Sequence, residues 1–397
     1  MKAVIVGTGA IGIVIASELA RNPETEEVRL ADIDLQRAEQ IRDWLKSDKV
    51  SVHRVDASKS NEIVRVAEGA DVIVNATLPR FNLTIMDAAF VAKTNYVDLA
   101  LYDHSSYLQQ LESNDKWKAA GLTALLNAGS APGITNVLAA QAADKLDRVD
   151  SIRIRIFDSV ESKEIVSTWS PEVMWDDMAT EPVVYDNGDF KRVPLFSGEE
   201  IYNFPDPIGP QPVVAHVHEE PVTLPRFIGK GLKHVDLKLG TPDMPTIKFV
   251  VELGLLGEDP VDVRGVKVVP QDLFFKLIPR TLSFEEVKNK IKAGTLIDAR
   301  ECYVVEVEGE TAGKKMTYIL SVPFPTLIEV QEKMPGATHE SYVTGVSAAI
   351  FAGMICTGDI KTKGVFLPEC LKVEARETLL TKLADKDIQV QERVKTA

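Results

Sequence analysis

A glycine-rich turn near the N-terminus restricts the folds open to this 397-residue chain more than any other feature. The sequence Gly7-Thr8-Gly9-Ala10-Ile11-Gly12 follows a short apolar run and opens a helical pattern. A second apolar run then ends at Asp32. Strand, glycine turn, helix, strand and terminal acid are the successive parts of a dinucleotide-binding unit. The sequence therefore predicts a doubly wound, parallel α/β sheet of the Rossmann type.

Each part of this turn has a physical role in such a site. Gly7 allows the tight turn, Gly9 lets the backbone approach a pyrophosphate, and Gly12 lets the helix lie close to the strand. The helix N-terminus at Ala10 and Ile11 offers N–H groups and a positive dipole to the phosphates. We therefore assign these residues to cofactor binding.

The acid at the end of the second strand predicts which cofactor is bound. Asp32, with Ile33 beside it, would accept hydrogen bonds from the adenosine ribose hydroxyls. A 2′-phosphate at this position would meet the Asp32 carboxylate, with Asp34 close behind. The sequence therefore predicts NAD rather than NADP.

The overall composition is that of a globular enzyme with a small-molecule substrate. The net charge of −14 argues against binding to nucleic acid or to anionic membranes. No stretch approaches the roughly 20 apolar residues of a membrane span. The 3 scattered cysteines predict neither a disulfide framework nor a thiolate metal site. We expect a cytoplasmic protein.

The first 128 residues alternate short apolar runs with amphipathic segments, which predicts a parallel sheet with helical crossovers. The predicted strands are Ala3–Val6, Val28–Ala31, Ser51–Arg54, Asp71–Val74, Tyr96–Leu99 and Thr123–Leu126. Ligands of such sheets bind beyond the carboxyl ends of the strands. On that rule the further cofactor-binding residues are Asp56, Ala57, Asn75, Ala76, Thr77, Leu78, Asn127 and Gly129.

From residue 129 the pattern changes, and an inserted α+β domain with a mixed sheet is predicted to extend to residue 342. Alternating runs at Ile152–Phe157 and Lys233–Leu239 suggest antiparallel strands, and Asn187-Gly188 is a hairpin-turn signal. Residues 343–397 are predicted to return to the first domain and to end in a charged helix, Cys370–Val394.

Several segments along nearly the whole chain resemble the saccharopine dehydrogenase family. Besides the N-terminal glycine turn, they are Asn75-Ala76-Thr77, Gly129–Asn136, Trp169-Ser170-Pro171, His218–Arg226, Thr344–Ser347 and Gly364–Glu369. The resemblance implies a Rossmann domain with an inserted catalytic and dimerisation domain. It also implies a homodimer, no metal, and hydride transfer at a carbon that bears nitrogen.

One position departs from the best-known members of that family. The glutamate-forming saccharopine enzymes use NADP and carry a small polar residue and Arg after the second strand, where this chain has Asp32-Ile33-Asp34. In this respect the chain is more similar to the NAD-using members that deaminate lysine at its ε-carbon.

Oxidising an amine requires a group that removes the proton from nitrogen. Asp98 is the first candidate base because it ends a strand on the cofactor side, and Tyr102 is a candidate hydrogen-bond donor to the substrate. His218 and Glu220 would share one face if this segment is a strand. They are then further acid–base candidates. With His216 they would also suit zinc, which the resemblance does not imply.

The remaining predicted site residues would hold the substrate. Arg226 suits a carboxylate, and Trp169 and Trp175 suit the walls of an apolar channel. The full predicted substrate-binding set is Pro132, Gly133, Trp169, Trp175, Thr223 and Arg226.

The combined prediction is an NAD-dependent amine or amino-acid dehydrogenase that deaminates L-lysine at the ε-carbon. Oxidation or reduction of saccharopine, or reduction to a carboxylated polyamine, is the alternative within the same reaction class. A noncatalytic NAD(H) sensor is the alternative from another class, and it would lack a base near the nicotinamide.

Overall fold

A computed structural model describes residues 1–102 and 104–396 of the chain. The chain divides into two compact units. The first comprises residues 1–141 and 341–389, and the second comprises residues 142–340 and the segment from residue 390. Among the residues that the structure describes, no helix combines the length and apolar character needed to cross a membrane.

The strands are, in chain order, β1 Lys2–Val6, β2 Glu27–Asp32, β3 Val50–Arg54, β4 Val72–Asn75, β5 Asn95–Val97, β6 Thr123–Leu125, β7 Arg148–Ser162, β8 Val183–Asp186, β9 Asp189–Arg192, β10 Glu200–Asn203, β11 Pro210–Ala215, β12 His234–Gly240, β13 Val261–Val263, β14 Val266–Val268, β15 Leu296–Thr311, β16 Lys314–Pro323, β17 Gly364–Phe366 and β18 Gln391–Thr396.

The α-helices are α1 Ala10–Arg21, α2 Leu35–Leu45, α3 Ser60–Ala67, α4 Asn82–Val91, α5 His104–Glu112, α6 Asn114–Ala119, α7 Ile134–Ala143, α8 Pro171–Ala179, α9 Glu220–Phe227, α10 Met244–Glu252, α11 Pro270–Leu277, α12 Phe284–Ala293, α13 Leu327–Lys333, α14 His339–Thr357 and α15 Val373–Ala384. Short 3₁₀ turns lie at Pro79–Phe81 and Pro368–Cys370.

The first unit is the predicted doubly wound sheet. Its strands follow the order β17-β6-β5-β4-β1-β2-β3, and all neighbours pair in parallel. The strand order reverses between β1 and β4, which is where ligands of such sheets bind. The six predicted N-terminal strands are confirmed within one or two residues. The edge strand β17, which the sequence analysis did not predict, comes from the C-terminal part of the chain.

The core of the first unit explains why these apolar runs form strands. β1 and β4 are buried along nearly their whole length, and Trp117 and Tyr96 fill the space beside them. Helix α14 packs closely on α1, because a Cβ at Gly345 would lie only 2.5 Å from Cβ of Val14. A small residue is therefore required at Gly345.

The second unit contains the predicted mixed sheet, in the order β10-β11-β12-β7-β15-β16-β18, with β8 paired to β12 and β9 paired to β8. The hairpin prediction at Asn187-Gly188 is confirmed, since both residues have positive φ between β8 and β9. The expectation that Ile152–Phe157 and Lys233–Leu239 are antiparallel is wrong for their mutual pairing. β7 and β12 are parallel neighbours, because long crossovers separate them in the chain.

Three predicted boundaries differ from the structure. The first unit extends to residue 141 rather than 128, because α7 begins in the loop that follows β6 and is buried along Val137–Ala140. The second unit gives way to the first at residue 341 rather than 343. The predicted helix Cys370–Val394 ends at Ala384, and residues 391–396 form β18 on the edge of the second sheet. Exposed edge strands commonly carry charged side chains, so the charge of this segment did not distinguish a strand from a helix.

Candidate active site

The glycine turn has the geometry of a dinucleotide site. Gly7 has a φ of +97°, and a Cβ there would lie 2.7 Å from the Ala76 carbonyl oxygen. A Cβ at Gly12 would lie 2.0 Å from the Gly7 carbonyl oxygen, whereas a Cβ at Gly9 would meet nothing within 4 Å. Gly7 and Gly12 therefore keep the strand, turn and helix in contact, and Gly9 leaves open space above its backbone.

The first turn of α1 faces this open space with backbone groups. Gly9 is the N-cap residue in an extended conformation, and no side chain caps the helix that starts at Ala10 and Ile11. An uncapped helix N-terminus beside an open glycine backbone suits a phosphate anion. The predicted roles of these residues in cofactor binding stay predictions that the geometry favours.

Asp32 is held firmly at the end of β2. One carboxylate oxygen accepts hydrogen bonds from the N–H and the hydroxyl of Thr8, each at 2.7 Å. The other accepts from the N–H of Asp34 at 2.8 Å, and the Arg37 guanidinium lies 3.6 Å away. The side chain of Ile33 next to it is exposed and offers an apolar surface.

Two more loops at this edge are braced by their own side chains. Asn75 accepts hydrogen bonds from the N–H and hydroxyl of Thr77 and donates to Asn82, which shapes the backbone of Ala76 and Leu78. The Asp56 carboxylate accepts from the N–H and hydroxyl of Ser58, and these hydrogen bonds lower the pKa of Asp56.

The residue after Asp56 and the loop after β6 contribute in different ways. Ala57 packs against the core of the unit. Gly129 donates its N–H to the Pro132 carbonyl oxygen, and a Cβ on Gly133 would lie 2.1 Å from the Gly129 carbonyl oxygen. The predicted substrate residues Pro132 and Gly133 thus close a tight turn, and any contact with substrate stays a prediction.

Asp98 has a different environment from the one expected of a catalytic base. It is 1% exposed, and its two carboxylate oxygens accept hydrogen bonds from the Asn127 N–H and from Gln110 Nε2, each at 2.8 Å. A base that collects a proton from substrate needs an accessible oxygen. The geometry therefore favours a structural role for Asp98, in which it joins the loops after β5 and β6. The Tyr102 side chain, in the segment between β5 and α5, is exposed, and its role stays a prediction.

Asn127 is the most distinctive polar residue at this edge. It adopts a left-handed conformation with a φ of 58°, and both polar atoms of its buried side chain have no hydrogen-bond partner among the described residues. Buried amide groups are almost always paired. Its carboxamide is therefore suited to a ligand that carries complementary donors and acceptors, such as the amide of a nicotinamide.

The second unit brings together an acid–base cluster around His218. β11 ends at Ala215 and α9 begins at Glu220, so the segment through His216 and His218 is a connection between them and not a strand. The turn nevertheless places His218 Nδ1 in a short hydrogen bond with the fully buried Glu220 carboxylate and 3.2 Å from Glu219. Ligand atoms of these three residues lie within 4.8 Å of one another, and His216 is not among them.

Burial and mutual charge change the pKa values in this cluster. Burial alone lowers the pKa of His218, but the Glu220, Glu219 and Asp177 carboxylates raise it to about 9. Burial, reinforced by Glu219, raises the pKa of Asp177 to about 8. Burial lowers the pKa of His216 to about 3, so this imidazole is neutral. At neutral pH His218 is a cation that can give up a proton, which is typical of an acid–base site.

The other predicted substrate residues lie in the second unit and differ in how far their side chains are buried. Trp175 is buried on α8 and packs edge-on against Phe274, with ring centroids 4.8 Å apart. Thr223 is buried on α9, while the exposed Arg226 guanidinium lies over the Phe190 ring. Trp169 is half-buried before α8. Trp175 therefore has the surroundings of a core residue, and the roles of the others stay predictions.

Sequence reasoning did not find Asp177 or Glu219. Glu219 is adjacent to two predicted residues, and its position next to His218 was a usable signal. Asp177 lies on α8, far away in the chain, and no spacing rule connects it with His218.

Two domains of one known protein family together match nearly the whole chain. Residues 3–125 match the saccharopine dehydrogenase NADP binding domain, and residues 129–388 match the saccharopine dehydrogenase C-terminal domain. The chain belongs to the saccharopine dehydrogenase family. It is therefore an oxidoreductase whose first domain binds a nicotinamide dinucleotide, and the recognised family is confirmed.

Curated relatives of this family member span almost the same length. The chain is 27% identical to carboxyaminopropylagmatine dehydrogenase of Synechocystis sp. over 378 residues, which cover 92% of this chain and 91% of the relative. It is 26% identical to carboxynorspermidine synthase of Vibrio cholerae, with 94% and 92% covered. The fold matches apo saccharopine dehydrogenase (L-Glu forming) from Saccharomyces cerevisiae at a TM-score of 0.74, with 15% identity and 99% of both chains covered.

Proposed function

We propose that this saccharopine dehydrogenase family member oxidises or forms the secondary amine of a carboxylated diamine, with NAD as its cofactor. Two relatives that are named for carboxylated amines are similar to this chain over nine-tenths of its length. This similarity supports the proposed substrate class. Deamination of L-lysine, which the sequence analysis favoured, has no relative of that name among these proteins.

The residues at the glycine turn fit the cofactor. Gly9 leaves room for a pyrophosphate, α1 offers its uncapped N-terminus, and the orphaned Asn127 carboxamide suits the nicotinamide amide. When bound, the dinucleotide would accept or supply the hydride. Asp32 favours NAD because a 2′-phosphate would meet its fixed carboxylate. The family domain is named for NADP, so the cofactor preference needs its own measurement.

His218 is the proposed acid–base group. Formation of the secondary amine adds a hydride to the carbon of a C=N bond and a proton to its nitrogen. His218 carries a proton at neutral pH, and Glu220 stabilises that cation through a short hydrogen bond. In the oxidising direction the same imidazole takes the proton from nitrogen, which general acid–base catalysis makes roughly 10² to 10⁴ times faster.

The proposal is tested by absorbance at 340 nm with the full chain, NAD or NADP, and three substrates. These are carboxynorspermidine, saccharopine and L-lysine. Reduction of NAD with carboxynorspermidine, at a kcat/KM at least tenfold above that for the other two, supports the proposal. Turnover of only saccharopine or only L-lysine would replace the substrate class, and the absence of any turnover would favour the dinucleotide sensor.

A further inference from the structure

A second group of acidic side chains lies in the second unit, separate from His218 and its partners. Asp158 on β7 and Glu301 on β15 are directly opposite each other in the antiparallel register. Side chains in such a pair point to the same face of the sheet, and like charges there repel each other. An arrangement of this kind needs a neighbouring positive charge.

The start of α14 adds an imidazole and a further carboxylate to this pair. His339 is fully buried and its Nε2 lies 2.8 Å from Asp158 Oδ1. Ligand atoms of Asp158, His339 and Glu340 lie within 4.8 Å of one another. Glu301 accepts a hydrogen bond from the Tyr303 hydroxyl at its Oε1. We call Asp158, Glu301, His339 and Glu340 the acidic cluster.

The acidic cluster contains acceptors that nothing uses. Glu301 is only 7% exposed, yet its Oε2 has no hydrogen-bond partner among the described residues, and the same holds for Glu340 Oε2. Leaving a buried polar group unpaired is unfavourable, and more so for a charged group. Two unpaired oxygens on neighbouring acids can therefore accept hydrogen bonds from a ligand.

The charges of the acidic cluster are unbalanced. Burial and Asp158 raise the pKa of Glu340 to about 8, and burial, opposed by His339, raises that of Glu301 to about 7. Burial lowers the pKa of His339, but Glu340 and Asp158 raise it to about 9. Thus a single imidazolium faces three acids, and protons must neutralise part of their charge. An added cation would take the place of those protons.

The chemistry of the acceptors favours an organic ammonium over a metal ion. His339 is protonated at neutral pH and its Nε2 already bonds Asp158, so a metal ion could use only the unpartnered Nδ1 and would have to displace its proton. An ammonium group has three N–H donors and no acceptor, which matches carboxylate oxygens. Asp158 keeps 29% of its side chain exposed and so offers a route from solvent.

The acidic cluster also lies near the group of ionisable residues around His218 in the second unit. Burial, and to a smaller extent the charge of Asp158, raise the pKa of Asp243, the residue before α10. The next residue, Met244, lines a small cavity together with Asp177 and His216. One helix start therefore borders both groups of acids.

We propose that Asp158, Glu301 and Glu340 bind the ammonium group at the end of the amine substrate that does not react. This inference rests on the proposed function, because a carboxylated diamine carries such an amine while its secondary nitrogen reacts. It adds a recognition site for the distal amine.

The test is calorimetric titration of the full chain with 1,3-diaminopropane, for the wild type, Glu301→Gln, Glu340→Gln and the control Glu332→Gln. Glu332 is an exposed acid on α13 in the same unit. We expect Kd to weaken at least tenfold in both cluster variants and to stay unchanged in the control. The melting temperature without ligand should be equal or higher in the cluster variants, because a like charge has been removed. A merely structural role would lower it.

A parallel titration with MnCl₂ separates the two cation classes. If the wild type binds Mn²⁺ but no diamine, or if both cluster variants bind the diamine as the wild type does, the inference is wrong. If the diamine binds as expected but no carboxylated diamine is turned over, the proposed function fails and the ammonium site remains. If turnover occurs and both variants keep the wild-type kcat/KM and Kd, only the ammonium site fails.

Discussion

Asp32 accepts hydrogen bonds from both the backbone N–H and the hydroxyl of Thr8, each at 2.7 Å. The acid that would read the adenosine ribose is thereby fixed to the second residue of the glycine turn, which would hold the pyrophosphate. These hydrogen bonds join both recognition elements into one piece. The Arg37 guanidinium lies 3.6 Å from the same carboxylate, so this piece also contains a cation that Asp32 neutralises.

Replacement of Asp32 should therefore change the cofactor preference. Asp32→Ser removes the carboxylate and leaves Arg37 available to a 2′-phosphate. We expect the ratio of kcat/KM for NADP to that for NAD to rise at least tenfold. Asp43→Ser, which removes an exposed acid from α2, the helix that carries Arg37, is the control and should leave the ratio unchanged. A wild-type enzyme that already prefers NADP would contradict our assignment of Asp32.

Replacement by alanine at two glycines of the same turn should affect two different quantities, NAD binding in one case and stability in the other. Gly9→Ala meets no atom within 4 Å, so stability should be unaffected, but its methyl group enters the pyrophosphate space and should weaken NAD binding at least tenfold. Gly12→Ala places Cβ 2.0 Å from the Gly7 carbonyl oxygen and should lower the free energy of unfolding by about 1–3 kcal/mol. Thermal denaturation and NAD titration measure both effects.

Gly353→Ala is the control for the helical substitution. Gly353 lies within α14, and a Cβ there meets nothing within 4 Å. Alanine should then stabilise the helix by about 1 kcal/mol, through its higher helix propensity. If Gly12→Ala were equally stabilising, the close contact between α1 and the glycine turn would be in error.

The rate should depend on pH through His218. In the folded protein its pKa of about 9 lies above the ordinary value, so the imidazole is protonated below that pH. The rate of amine formation should fall as pH rises through about 9, and the rate of amine oxidation should rise over the same range. His218→Asn should lower kcat by roughly 10² to 10⁴.

Glu220→Gln tests the assignment of that ionisation. The Glu220 carboxylate raises the pKa of His218, so its loss should move the transition to lower pH. His234→Asn, on β12 of the same unit, should leave the profile in place. If Glu220→Gln keeps the wild-type profile, the titrating group is not His218.

The fold was predictable where local patterns determine it. The apolar runs of β1 and β2 are separated by a turn that only glycine fits, so sequence, turn geometry and sheet order agree. The parallel pairing of β7 and β12 was not predictable, because alternation reports which face is buried and not the direction of a neighbour. The same limit applies to β18, whose partner β16 lies about seventy residues away.

The candidate site was predictable to a smaller degree. The residues of the glycine turn could be predicted from their spacing. The proposed contact of Asn127 with the nicotinamide amide depends instead on a buried carboxamide that lacks hydrogen-bond partners among the described residues. His218 and Glu220 were correctly paired for the wrong reason, since a turn before α9 and not a strand brings them together. Asp177 joins them only through tertiary packing. Such long-range proximity leaves no periodic signal in a single sequence.

The sequence-based prediction and the structure differ most in the role of Asp98. As a catalytic base its replacement by Asn should abolish turnover and leave the fold intact. In the structure its buried oxygens accept from the Asn127 N–H and Gln110 Nε2, and Asn cannot accept at both positions. We therefore expect Asp98→Asn to lower the free energy of unfolding by about 1–3 kcal/mol in urea denaturation, with Asp115→Asn as the exposed control. The pH dependence of kcat should keep its transition near 9, because that ionisation belongs to His218. A hundredfold loss of kcat without loss of stability would restore Asp98 as the base.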